Sequence, residues 1–149
     1  MKNNYQIKIE KQKLKNTEIL HFRCYDEYYE LLGEIIFQYI DNVSTYFSSI
    51  LEFDDCIKYF SENKATYIKI LDVPEKHQNK GIGNFLMNKF LIFSKKNNTF
   101  NKIILSAVPF GNENLNLDLL TKFYQKFNFE TISFELIDKE LHPIMVNIK

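Results

Sequence analysis

Cysteine is scarce in this chain: Cys24 and Cys56 are the only two, and their spacing suits no metal site. With no export signal ahead of them, both read as reduced, buried, small hydrophobes of a cytoplasmic protein. An excess of one charge is also missing. Basic and acidic residues balance at 19 each, so no overall field draws the chain to nucleic acid or to a membrane surface. A nucleic-acid partner would need a local patch. Long apolar runs are absent too. Met1 to Asn16 is polar and charged, which excludes a signal peptide or a membrane span there. The three histidines, His21, His77 and His142, lie far apart without ligand spacing, so no metal is expected. There is no Gly-x-Ser-x-Gly elbow for a serine hydrolase, no internal repeat and no low-complexity segment. The aromatic residues fall at core periods, which gives no sign of base stacking.

What the chain has is enough apolar content, 45% over 149 residues, to bury a real core as one domain spanning residues 1–149. Its most informative stretch is Gln78-Asn79-Lys80-Gly81-Ile82-Gly83. Before it, Tyr67 to Val73 is rich in β-branched and aromatic residues and stops at Pro74, the pattern of a strand. After it, Ile82, Phe85, Leu86, Phe90 and Phe93 recur at helical spacing. Glycines let a backbone take positive φ and approach a ligand closely. The amides of such a loop, with the helix N-terminus behind them, suit a phosphate or pyrophosphate. A dinucleotide fingerprint needs a small residue where Leu86 stands. A P-loop needs Lys after the glycine, whereas Lys80 precedes it.

Along the rest of the chain, Tyr5, Ile7 and Ile9 alternate as a first strand, and Lys11 to Asn16 reads as a polar connection. Ile19 to Tyr25 has strand character, and Asp26 to Leu32 reads as a short helix capped by Asp26. Gly33 opens a strand from Glu34 to Ile40. The Asp41-Asn42 turn then predicts a hairpin returning over Thr45 to Phe53. A short helix capped by Asp54 or Asp55 extends to Phe60. The helix after Gly83 reaches about Ser94 and frays over Lys95 to Asn98. Lys102 to Val108 is a buried strand, and strand–helix–strand order implies a crossover with parallel pairing. Pro109 to Asn116 is a loop. Asn116 caps a helix that buries Leu119, Leu120, Phe123, Tyr124 and Phe127 and ends at Asn128, a left-handed cap. Phe129 to Ile137 and Ile144 to Ile148 close the chain as an antiparallel pair. The fold class is mixed α/β.

The segment Val73 to Gly83 resembles the acyl-CoA pyrophosphate loop, Gln/Arg-x-x-Gly-x-Gly/Ala, of the GNAT superfamily of N-acetyltransferases. Leu120-Thr121-Lys122-Phe123-Tyr124, followed by Asn128-Phe129, resembles the superfamily's second signature, with Asn128 where that pattern has glycine. The two lie about forty residues apart in the right order, and the resemblance covers roughly residues 66 to 137. It implies a central, mostly antiparallel sheet flanked by helices, with a parallel βαβ unit at the acyl-CoA site. It also implies acetyl-CoA as co-substrate and transfer of acetyl to a primary amine by direct attack on the thioester. Backbone groups of Leu71 and Val73 would meet the pantetheine arm and acyl carbonyl. Gln78, Asn79, Lys80, Gly81, Ile82 and Gly83, with Asn84, would hold the pyrophosphate. Lys80 either adds charge there or is simply solvated. Tyr124, a core aromatic by its spacing alone, becomes by resemblance the general acid for the departing thiolate.

Attack by an amine also needs a base. Glu34, Glu52 and Asp72 lie on or beside central strands, and each also reads as a solvated strand-edge charge. The superfamily usually walls its acceptor pocket with a helical pair between the first two strands, for which Lys11 to Gly33 leaves little room. The acceptor site is then open, built from other loops, or completed by a second subunit of a homodimer. An open site suits a protein or peptide amine better than a small buried one. A non-catalytic acyl-CoA-binding or regulatory module on the same fold is the competing reading, and a structural or inhibitory protein that has lost the cofactor is a third.

Overall fold

The computed structural model describes residues 4–97, 102–108 and 116–148. Its strands are β1 (Gln6–Leu14), β2 (Thr17–Tyr25), β3 (Leu31–Ile40), β4 (Ala65–Asp72), β5 (Ile103–Ser106), β6 (Phe129–Ile137) and β7 (Glu140–Asn147). The helices are α1 (Val43–Tyr46), α2 (Phe53–Tyr59), α3 (Ile82–Asn97) and α4 (Leu117–Gln125). The strands join in one sheet of order β1-β2-β3-β4-β5-β7-β6. It is mostly antiparallel with one parallel pair, as the strand–helix–strand crossover through α3 requires.

Two compact units make up the chain, Met1–Gln38 with Ile68–Lys96 and Tyr39–Tyr67 with Asn97–Lys149. In the first, alternate residues of β2 and β3 point one way: Leu20, Phe22 and Cys24 beside Phe37, Ile35 and Gly33. All six are buried. Onto them α3 lays Ile82, Leu86, Met87 and Phe90. Phe90 meets Phe22 and Phe37 edge to face, with ring centroids 5.4 and 4.9 Å apart. Burial of each such ring contributes about 1.5–3 kcal/mol. Gly33 does not open the strand, which begins at Leu31. It lies inside β3, where an added Cβ would stand 3.0 Å from the Asp72 carbonyl oxygen and 3.0 Å from Leu86 Cδ1. Its lack of a side chain thus allows the close approach of α3.

The second unit's core gathers Ile40, Val43, Phe47, Leu51, Cys56, Phe60, Ala65, Ile104, Ile144 and Val146. Here the expected return strand over Thr45 to Phe53 gives way to α1, a set of turns and the start of α2. Val43, Phe47 and Leu51 recur every fourth residue and are all buried, a helical period in place of the strand period of two. Asn42 caps α1, its Oδ1 accepting the Thr45 N–H at 3.1 Å. The α2 cap position is Glu52, which makes no side-chain cap bond; Asp54 and Asp55 fall inside the first turn, where they complement the helix dipole.

Other boundaries move for local reasons. β1 runs on through Leu14 because its pairing with β2 continues to the two-residue turn at Lys15 and Asn16; its exposed polar side chains suit an edge strand. Asp26 forms a turn instead of opening a helix, its Oδ1 accepting the N–H groups of Tyr28 and Glu30 at 2.8 and 2.9 Å. α3 continues past Ser94 to Asn97. β7 starts at Glu140, after a turn in which Asp138 and Lys139 both take positive φ. Pro143 lies inside it, one position beyond the end of the β5 ladder at Ser106–Ile144. In α4, Asn116 caps as expected, accepting from the Leu119 N–H at 2.8 Å, and Asn128 takes φ 66°. Leu119 is exposed and not buried. Residues 109–115 of the expected Pro109 to Asn116 loop, and Asn98, lie outside the described residues.

Candidate functional site

The loop site is built from the end of β4. Leu71 is its penultimate residue, Val73 follows just beyond the strand's end, and a 3-10 turn over Glu75–His77 leads to Gln78. Gln78 does not point outward. Its Nε2 donates to the Val73 carbonyl oxygen at 2.8 Å, clipping the loop's two ends together. That bond occupies one acceptor position of a carbonyl expected to meet pantetheine; the Val73 N–H and the carbonyl's second lone pair are separate from it. Asn79 and Gly81 take φ values of 62° and 79°. The space a side chain on Gly81 would enter is open, with no atom within 4 Å. The Phe85 N–H bonds the Gly81 carbonyl at 3.0 Å, which makes Gly81 the cap of α3. Ile82 and Gly83 are then the first helical positions, whose N–H groups have no intrahelical acceptor. No acidic residue sits in that first turn, and Lys80 and Asn84 are exposed. These features fit a pyrophosphate: amides and a helix N-terminus face an open space without a competing carboxylate.

A latch that the sequence gave no sign of holds this loop from behind. Glu30, in the β2–β3 turn, accepts from Lys76 Nζ at 2.7 Å. Its other oxygen lies 3.1 Å from His77 Nε2, an ion-pair distance outside hydrogen-bond alignment. The Lys76 hydrogen bond leads the influences that hold the Glu30 carboxyl below its ordinary range. The partners are 46 residues apart in sequence, so no local pattern reveals them.

In the second unit, Tyr124 sits on α4 and is buried, its ring 5.3 and 5.8 Å from those of Phe123 and Phe129. Burial alone raises its phenol well above the ordinary value. Lys122, one turn from Asp118, pairs with it at 3.3 Å on the solvent side of the helix.

The carboxylates considered as bases separate by their surroundings. Glu34 is committed: its Oε1 lies 3.1 Å from both His21 Nδ1 and Arg23 Nε. Glu52 and Asp72 are exposed. A fourth carboxylate, passed over in the sequence, is Glu135 of β6. It is half-buried and accepts from Ser106 Oγ of β5 at 2.7 Å. Tyr67 packs its ring on Tyr46 and Phe47, with centroids 5.7 and 5.4 Å apart, and burial pushes its phenol up to about 12. Alternation within β6 marked Glu135 only as one polar strand position; the crossing through β7 that brings it to Ser106 is a matter of topology. Among the described residues no group of metal-ligating side chains occurs, and no helix is long and apolar enough to cross a membrane.

No protein-family model matches the sequence, and no curated protein matches it. Solved structures do match by fold. A mosquito arylalkylamine N-acetyltransferase like 5b superposes with TM-score 0.61 at 16% identity, over 86% of this chain and 73% of its own. Arabidopsis thaliana NAA60 in complex with acetyl-CoA gives 0.57 at 17%, over 86% and 73%. Arabidopsis thaliana Naa50 in complex with a bisubstrate analogue gives 0.55 at 20%, over 85% and 70%. The chain therefore has the GNAT fold.

Proposed function

We propose that this chain is an acetyl-CoA-dependent N-acetyltransferase that acylates a primary amine. The observation that carries the reading is the open, glycine-capped start of α3 on a GNAT fold, a phosphate cradle free of acidic side chains. Amides of Gly81, Ile82 and Gly83, with Asn79, Lys80 and Asn84 around them, would hold the pyrophosphate. Gln78 shapes the loop by its bond to Val73. Backbone groups of Leu71 and Val73 would align the pantetheine arm. Bound acetyl-CoA supplies an acyl group already activated as a thioester. The amine nitrogen bonds the acyl carbon, the carbon–sulfur bond breaks, and the amine proton passes to base or solvent.

Tyr124 serves the leaving sulfur. Its phenol, raised by burial, holds its proton more tightly than a thiol of ordinary pKa about 8.5. Full transfer to the thiolate is then uphill, and the role that fits is a donated hydrogen bond that stabilises developing negative charge.

Amine-dependent release of free CoA thiol tests the reading. Wild-type protein should release thiol with some member of a primary-amine panel. Tyr124→Phe should lower kcat by about 10–100-fold with little change in KM for acetyl-CoA. Binding of acetyl-CoA without thiol release for any amine would instead identify a non-catalytic acyl-CoA-binding module.

A further inference from the structure

Helix α2 and its cap residue Phe60 carry two apolar rows. Cys56 and Phe60, four positions apart, are buried in the second unit's core. Phe53 and Ile57, also four apart, stand 69% and 63% exposed. Both rows line a half-open pocket of about 410 Å³. That volume is the size of a small-molecule site, and an apolar floor with a few polar groups is the lining such sites have. Single exposed apolar side chains are ordinary, but two on the lip of a cavity are not.

The remaining wall is polar and fixed. Glu62 and Asn63 take consecutive left-handed φ values of 55° and 62°, a conformation unfavourable for glutamate. Asn63 holds this turn in place. Its Oδ1 accepts the Ser44 N–H at 3.0 Å, and its Nδ2 donates to Ser44 Oγ at 2.8 Å and to Asn42 Oδ1. Strain over-determined in this way clusters at ligand clamps. The wall's hydrogen-bonding capacity is also lopsided. Both Asn63 Nδ2 protons are used, and the Ser44 hydroxyl donates to Asn42 Oδ1 at 2.9 Å. What remains is the second lone pair of Asn63 Oδ1, one oxygen of Glu62, and the Ser61 hydroxyl, which has no partner among the described residues. Among those residues no Lys, Arg or His lines the pocket. Glu62 pairs with Lys64 at 3.5 Å and is mostly solvated, so it repels an anion but adds little for a cation.

We propose that this pocket binds a flat, uncharged aromatic molecule of bicyclic size that carries a hydrogen-bond donor on its ring edge. Phe53, Ile57 and Phe60 supply the apolar contact. The surplus acceptors of Ser61, Glu62 and Asn63 receive the donor. A ligand of the same shape without a donor leaves those acceptors unpaired, and an anion meets Glu62 with no basic group to offset it. The site lies wholly within the second unit and is independent of the acetyltransferase reading.

The experiment is titration of the isotope-labelled full chain with indole, benzofuran and benzoate, followed by amide NMR shifts. Indole has one N–H donor, and benzofuran has the same shape without it. Indole should shift Ser44 and residues 53–63 saturably, with a dissociation constant below about 1 mM. Benzofuran should bind about fivefold or more weakly, the loss expected for one neutral hydrogen bond, and benzoate should not bind. Phe53→Ala should weaken indole by about fivefold or more. Its thermal unfolding midpoint should match wild type, because the side chain it removes is exposed. Equal binding of benzofuran, binding of benzoate, shifts centred outside residues 42–63, or no saturable shift with indole would overturn the proposal. So would sedimentation showing a wild-type dimer that Phe53→Asp dissociates, since a second copy would then fill the pocket.

Discussion

Gln78 Nε2 lies 2.8 Å from the carbonyl oxygen of Val73, so the first residue of the glycine pattern fastens the loop to the strand that leads into it. The side chain at this position acts on the protein's own backbone. Gln78→Ala should therefore loosen the loop, costing about 0.5–1.5 kcal/mol of stability and weakening acetyl-CoA binding. Gln78→Glu, which keeps the size but has no N–H to donate, should behave like the alanine variant. Urea unfolding and calorimetry on both variants check this; a Gln78→Glu protein equal to wild type would show that the clip is irrelevant.

Gly33 gives a second test of how the loop is seated. A methyl group there would press on the Asp72 carbonyl and on Leu86 and Ile82 at 3.0, 3.0 and 3.2 Å. Backbone on one side and a buried helix on the other cannot easily withdraw. Gly33→Ala is expected to cost about 1–3 kcal/mol, the usual range for overpacking, as measured by denaturant unfolding.

The Glu30 latch should be visible in pH dependence. The Glu30 carboxyl is held low, first by Lys76, so the latch contributes stability above the ordinary carboxylate range and loses it as pH falls through the depressed value. Glu30→Gln should flatten the acid side of a stability profile and increase amide hydrogen exchange over residues 75–81. Unchanged exchange in that segment would show that the latch does not restrain the loop.

At the alkaline end two tyrosines dominate. Tyr67 is pushed up to about 12 and Tyr124 higher still, both mainly by burial. The folded state thus keeps phenolic protons that the unfolded chain releases near pH 10. Stability present below pH 10 should decline as pH rises through about 12, by on the order of 1–2 kcal/mol for Tyr67. Tyr67→Phe should reduce that slope, as followed by thermal unfolding across the range.

The parts of this molecule legible in the sequence are those in which one period runs uninterrupted into unmistakable punctuation. Tyr67 to Asp72 alternates and stops at Pro74, and Ile82 to Phe93 keeps helical spacing after two glycines. Asn116 and Asn128 mark both ends of α4 by their own side-chain and backbone chemistry. The strand expected over Thr45 to Phe53 fails because threonine, tyrosine and phenylalanine favour strands, whereas Val43, Phe47 and Leu51 are spaced for a helix and Asn42 is placed to cap it; the short helix that follows, to Tyr59, is where the sequence puts it. Glu30 and Glu135 could not be found at all. Each acts across a turn or a neighbouring strand on a partner remote in sequence, and only topology supplies that distance.

Acetyl-CoA titration of wild type and Asn84→Glu tests the donor site most directly. Asn84 is exposed and third in α3 after the Gly81 cap. A glutamate there complements the helix dipole and should stabilise the fold by about 0.3–1 kcal/mol. It also sets a negative charge against the amides proposed to hold the pyrophosphate, which should weaken acetyl-CoA binding by roughly tenfold or more. Wild-type binding, with a variant that is at least as stable but binds poorly, is the expected result. Absence of wild-type binding, or undiminished binding by Asn84→Glu, would contradict the assignment of the Gly81 loop as the acyl-CoA site.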